Sequence, residues 1–159
     1  MDIQFKALPA RDFKHLFTLT DQELAAQQAK RMTVTDCPGA PCRVSMVDAE
    51  VGETVILLNH THLNADSPFQ ARHAIYVREN AEEAHFEVNE VPELLRSRMI
   101  SLRFFDADHM MIDADLAVGD QLLEFLSKAF DNPEVAYAHM HYAKPGCFAA
   151  SVHRADSTN

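Results

Sequence analysis

Two histidine pairs, His60-Thr61-His62 and His139-Met140-His141, are the residues whose spacing most directly suggests chemistry. In an extended chain, residues two apart share a face, so each pair can aim two imidazoles at one point. Strand histidines chelate zinc in this way, and zinc takes three or four N, S or O ligands. His60, His62, His139 and His141 are therefore candidate ligands for a divalent transition metal such as zinc, with Asp66, Asp106 or Cys147 able to complete the set. The same spacing also arises where histidines only solvate a strand face or bond to neighbouring backbone, so the pattern is suggestive without being specific.

Cys147 follows Pro145-Gly146, where the chain must reverse, with Lys144 and His141 close in sequence. A nearby cation lowers a thiol's pKa and makes thiolate available for attack. The alternative is a small apolar residue opening a strand above Phe148, the commoner fate of cysteine. Asp106-Ala107-Asp108 and Asp113-Ala114-Asp115 are paired carboxylates, each able to hold a cation or, more often, to bound a turn. Arg43, Arg78 and Arg103 could each clamp a carboxylate or phosphate, or simply pair at the surface. Asp66, Ser67 and His73 invite a triad reading, but no nucleophile-elbow glycine pattern accompanies them. The candidate pocket is thus His60, His62, Arg103, Asp106, His139, His141 and Cys147.

These residues need elements to position them. Strands are expected over 3–8, 32–35, 42–46, 54–62, 73–78, 100–105, 110–116, 135–143 and 147–154. Ala10 to Leu19 should be helical, with Phe13, Leu16 and Phe17 on one face. Thr20-Asp21-Gln22-Glu23 is a capping box that should open a helix from Asp21 to Lys30. Cys37 to Pro41 must turn, because two prolines and a glycine block both ladders and helices. Ala81 to Glu90 reads as a surface excursion with a short strand near Phe86, and Pro92 should sit in the first turn of a helix reaching about Met99. Gly119-Asp120 introduces the strongest helix, Gln121 to Phe130, whose Leu122, Leu123, Phe125, Leu126 and Phe130 form a broad apolar stripe.

Together these elements make an α+β fold: a mixed, mainly antiparallel sheet with helices packed on one face and one C-terminal β-α-β crossover. A chain of 159 residues suits a single domain, here 1–154, followed by a flexible tail over 155–159. Fourteen basic residues against 24 acidic ones give a net charge of −10, which repels phosphate backbones and anionic lipid. No nucleic acid and no membrane partner is expected, and no apolar run approaches the length of a span. The N-terminus lacks a signal-peptide layout and the three cysteines are odd in number, so a cytoplasmic location is expected.

Several strings then take on a common meaning: Pro41-Cys42-Arg43-Val44-Ser45, Asp66-Ser67-Pro68-Phe69, Ser101-Leu102-Arg103 with Phe105-Asp106, Met111-Ile112-Asp113-Ala114-Asp115, and His139-Met140-His141 with Pro145-Gly146-Cys147-Phe148. In this order, from about Phe5 to Arg154, the chain resembles a bacterial family, domain-of-unknown-function family 1203. The resemblance implies a stand-alone protein of this length and brings no activity, cofactor or catalytic residue with it. It departs from the family pattern at Tyr142, where an Asn is favoured. Two functions follow from the residues themselves. One is a domain binding a small-molecule ligand or metal ion, with or without catalysis; the other is a non-catalytic homodimer using an exposed sheet face or edge.

Overall fold

The computed structural model describes residues 1–156. The chain falls into two compact units, one built from residues 1–6, 63–71 and 85–159, the other from 7–62 and 72–84. The α+β class holds, with two antiparallel sheets and a few short helices.

The first unit holds a five-stranded sheet in the order β1-β8-β7-β5-β6. Its strands are β1 (Ile3–Lys6), β5 (Met99–Phe105), β6 (Met111–Val118), β7 (Tyr137–Tyr142) and β8 (Phe148–Arg154). Every neighbouring pair is antiparallel. β6 and β7 therefore run parallel with β5 between them, and the link through α3 (Leu122–Ala129) is the expected β-α-β crossover. Alternation sorts the sheet into two faces. Ile3, Phe5, Leu102, Phe104, Ala138, Met140 and Val152 are all buried and fall on one face by alternation and register. Leu122 and Leu126 of α3 are buried as well, and Phe125 and Lys128 line a cleft with Phe104, Asp113 and Asp115, which places the helix on this face. Burying each such large side chain contributes roughly 1.5–3 kcal/mol, enough to fix which way every strand faces. The C-terminal end of the helical stretch is tied down by Arg154. Its guanidinium donates to the carbonyls of Phe130 at 2.7 Å, Asn132 at 2.9 Å and Val135 at 3.1 Å, satisfying acceptors that a helix end leaves open.

α2 (Glu93–Arg96) is shorter than the helix expected to reach Met99, and Pro92 precedes it as the N-cap. No strand forms near Phe86; the 81–90 segment is irregular throughout. Of the expected tail, Ala155 donates its amide to the Asp2 carbonyl at 3.0 Å, while Ser157 to Asn159 lie outside the described residues.

The second unit carries a three-stranded sheet, β2-β3-β4, formed by β2 (Ala29–Thr33), β3 (Thr54–Leu63) and β4 (Ala71–Arg78). Phe13, Leu16, Leu24, Cys42, Val44, Ile56, Ile75 and Val77 make its core. Three local expectations need correction here. Ala10 to Leu19 is two 3-10 turns rather than one α-helix, and its buried residues Phe13 and Leu16 stand three apart, the period of that tighter helix. The Thr20 box caps α1 as expected, with Glu23 N to Thr20 Oγ1 at 3.2 Å and Thr20 N to Glu23 Oε2 at 2.9 Å. α1 nevertheless spans only Asp21–Ala25, because Gln28 turns left-handed (φ 54°) and Ala29 enters a five-pair ladder with β3. Removing the cap oxygen with Thr20→Ala is expected to cost about 1 kcal/mol, read as a melting point lower by a few degrees.

The third correction concerns Cys42 to Met46, which forms a tight turn and not a strand. Met46 has φ 53° and donates its amide to the Cys42 carbonyl at 3.0 Å. Arg43, for which a surface ion pair was one expectation, is 1 % exposed and donates to the Pro41 carbonyl. The buried Cys42 sulfur accepts from the amide of Ser45 in the turn at 3.4 Å and from that of Arg78 at the end of β4 at 3.3 Å, so it serves two backbone donors.

Candidate functional site

The face of the five-stranded sheet opposite α3 carries the chemistry. Strand alternation on β7 puts Tyr137, His139 and His141 here. The register then sets Phe105, Arg103 and Ser101 of β5 directly opposite them on one side. On the other side stand His153, Ser151 and, after a bulge between Met140 and His141, Phe148 of β8. Tyr142 belongs to the other face.

His139 and His141 are 6 % and 1 % exposed, and each offers a ring nitrogen within 4.8 Å of the other. The spacing is that of a pair able to share a metal ion. His141 Nδ1 lies 2.9 Å from the Gly146 carbonyl. A carbonyl only accepts, so Nδ1 carries the proton and Nε2 the lone pair, the arrangement a metal-ligating histidine takes from its outer partner. Gly146 can supply that carbonyl because its φ of 82° is open to glycine and closed to most residues. Phe148 stands edge-on to both rings, with centroids 5.1 Å from His139 and 5.8 Å from His141. An aromatic wall of this kind fixes the imidazoles and lowers the local dielectric.

Arg103 is half-buried and registers with His139. Among the described residues its one side-chain hydrogen bond runs from Nε to Ser101 Oγ at 3.4 Å, and it forms no ion pair. Burial holds its guanidinium below the usual arginine range. At the far end of the face, Tyr137 Oη and His109 Nδ1 are 2.8 Å apart, and Tyr137 stacks on Phe105 with centroids 5.2 Å apart. Burial, aided by the charge of Asp106, raises the Tyr137 pKa above its ordinary value.

Asp106 Oδ1 accepts from the amides of Asp108 and Met110, both at 2.9 Å, and so orders the β5–β6 turn. Asp113 and Asp115 each accept from the next residue's amide and are exposed on the α3 side. Cys147 is 9 % exposed, and its carbonyl accepts from the Tyr142 amide at 3.0 Å. Ser67 Oγ donates to the His109 carbonyl at 2.8 Å and accepts from the Phe69 amide at 3.1 Å, which makes it a turn residue and ends the triad reading. In the second unit, His60 packs against Phe13 with ring centroids 5.5 Å apart, and His62 follows on the same face of β3. Arg78 is engaged by Glu53 at 2.6 Å, an ion pair that lowers the pKa of Glu53 and raises its own.

The sequence pattern alone does not mark Tyr137, Ser101, Ser151, His153 and Phe148 as site residues. Their signal was present only as alternation along β5, β7 and β8, and it becomes a site only once those strands are known to be neighbours.

Two histidines give the molecule a pH response. Burial lowers the His153 pKa, with Lys6 adding to the effect and Asp156 opposing it. Burial likewise lowers that of His60, opposed by Asp12. With a depressed folded pKa, the unfolded chain takes up the proton first. The stability concerned is present above the unfolded value of about 6.5 and is lost as pH falls through the folded values. The melting temperature should therefore decline between about pH 7 and pH 5, and His153→Asn should make that decline shallower; equal slopes would refute the assignment.

No helix among the described residues is long and apolar enough to cross a membrane. Neither a curated protein nor a solved structure matches the chain. Residues 39–154, well over half of the sequence and including both histidine pairs, match the family model described as protein of unknown function (DUF1203), and the chain belongs to that family.

Proposed function

We propose that the protein binds a divalent transition metal, zinc by ligand type, through His139 and His141, in a pocket that also receives a small molecule. The observation that carries this reading is the pair itself: two buried imidazoles within 4.8 Å, one with its tautomer set by the Gly146 carbonyl. Nitrogen ligands suit zinc, copper, iron or nickel over magnesium or calcium. A third ligand is needed, and His60 and His62 are the further imidazoles the sequence pattern offers, so both belong in any variant series. Elemental analysis of protein purified without chelator should find near-stoichiometric zinc, copper, iron or nickel. Metal well below stoichiometric, with no uptake on adding zinc, would sink the proposal.

A homodimer is the competing reading, favoured by one observation. β6 is an edge strand, and it exposes Ile112, Leu116 and Val118 by 39 %, 57 % and 46 %. Such an edge invites pairing with a second copy. Sedimentation showing twice the chain mass, abolished by Leu116→Lys, would favour it.

A further inference from the structure

The histidine face is poor in negative charge in a way the rest of the chain is not. The sequence has 24 acidic residues, yet the strand residues facing this side include no Asp or Glu. One row runs straight across four strands in register: Lys6, Ser151, His139, Arg103. It alternates cation, hydroxyl, imidazole and guanidinium. Arg103, the most deeply placed cation of the row, has no carboxylate partner among the described residues and only one long hydrogen bond, to Ser101. A guanidinium taken half out of water without a counter-ion loses hydration that no protein group replaces. Its planar fork matches a carboxylate or a phosphate, which two parallel N–H···O bonds would hold.

The geometry points to an oxyanion site on this face: a small molecule bearing a carboxylate or phosphate group, clamped by Arg103 beside His139, with Ser101 and Ser151 as neutral donors. The inference deepens the metal-pocket reading and rests on it in one respect only, that this face is where the ligand binds. A metal held by neutral imidazoles keeps its full positive charge, so an anion is the ligand such a centre would accept. Arg103 would set that anion's orientation, and Lys6 would draw it toward the face.

The test is calorimetric titration of the protein with inorganic phosphate and, separately, with succinate, at fixed chloride concentration. It is run once on metal-loaded protein and once after dialysis against EDTA. At least one probe is expected to bind with a dissociation constant of millimolar or tighter. Arg103→Gln should weaken that binding at least tenfold while metal content stays at the wild-type level. Arg103→Lys, which keeps the charge and loses the fork, should fall between the two, and circular dichroism of both variants checks the fold. Binding that survives EDTA and is lost in Arg103→Gln supports the oxyanion site even where the metal reading fails. The proposal is overturned if neither probe binds at 10 mM, or if folded Arg103→Gln binds as tightly as wild type. It is also overturned if His139→Ala abolishes binding while both Arg103 variants leave it unchanged, since the metal alone would then be holding the anion.

Discussion

Gly119→Ala is expected to melt about 10 °C below the wild-type protein. Gly119 opens the 3-10 turn that joins β6 to α3, and it is buried. A Cβ at this position would fall far inside contact distance of three backbone atoms of Arg96: the carbonyl oxygen, its carbon and Cα. None of these can swing aside as the tip of a side chain could. The substitution must part the α2 segment from the start of α3, and α3 is the helix that covers the apolar face of the large sheet. Overpacking of this kind costs typically 1–3 kcal/mol and more where backbone must move, so about 3–4 kcal/mol is a fair expectation. For a chain of this size each kcal/mol lowers the melting point by roughly 2–4 °C. Gly52→Ala is the control. Its φ of 92° makes the change strained, but nothing stands within 4 Å of its added Cβ, so a smaller loss near 1 kcal/mol is expected. If the Gly119 variant melted within 2 °C of wild type, the close approach of the two segments would be wrong.

That contact is absent from the sequence pattern, and the contrast shows where sequence reading holds. The Thr20–Glu23 box was legible because both of its bonds join residues three apart, and local geometry alone sets them. β3 was legible because Thr54 to Leu58 is an unbroken run of β-branched and aliphatic residues and the strand holds neither Gly nor Pro. The helix expected to continue from Asp21 to Lys30 failed for a long-range reason. Ala29 gains ladder bonds opposite Leu58, a partner nearly thirty positions away that no local propensity can register. The same division runs through the site. That His139 and His141 share a face follows from alternation on one strand. That Arg103 stands opposite His139, and Ser151 on the other flank, depends on β5 and β8 being the neighbours of β7. Asp106 shows the opposite case, a placement that local sequence does set. Its two amide contacts, to Asp108 and Met110, are as local as the cap and follow from the turn preference of aspartate alone.

His141→Ala is expected to weaken zinc binding by about 100-fold or more, and His139→Ala by a similar factor. A two-imidazole chelate from one strand loses both a bond and the entropic advantage of the second ligand when either ring goes. His141 should be at least as sensitive as His139, because its Nδ1 proton is held by the Gly146 carbonyl at 2.9 Å and its Nε2 is thereby kept in the ligating form. Gly146→Ala probes that link without touching a ligand. With φ at 82°, the alanine strains the turn, displaces the carbonyl and frees the ring to change tautomer. Loss of such an outer partner costs roughly 10–100-fold in metal affinity, so Gly146→Ala should fall between wild type and His141→Ala. His109→Ala is the control on the same unit: its ring sits beside Tyr137 at the turn end and should leave zinc affinity unchanged. Competition titration against a chromogenic zinc chelator measures all four variants on one scale. His62→Ala belongs in the same series, where a loss equal to that of His139→Ala would identify it as the third ligand. Should His139→Ala and His141→Ala bind zinc as tightly as wild type, the paired imidazoles are core histidines that order a sheet face and nothing more.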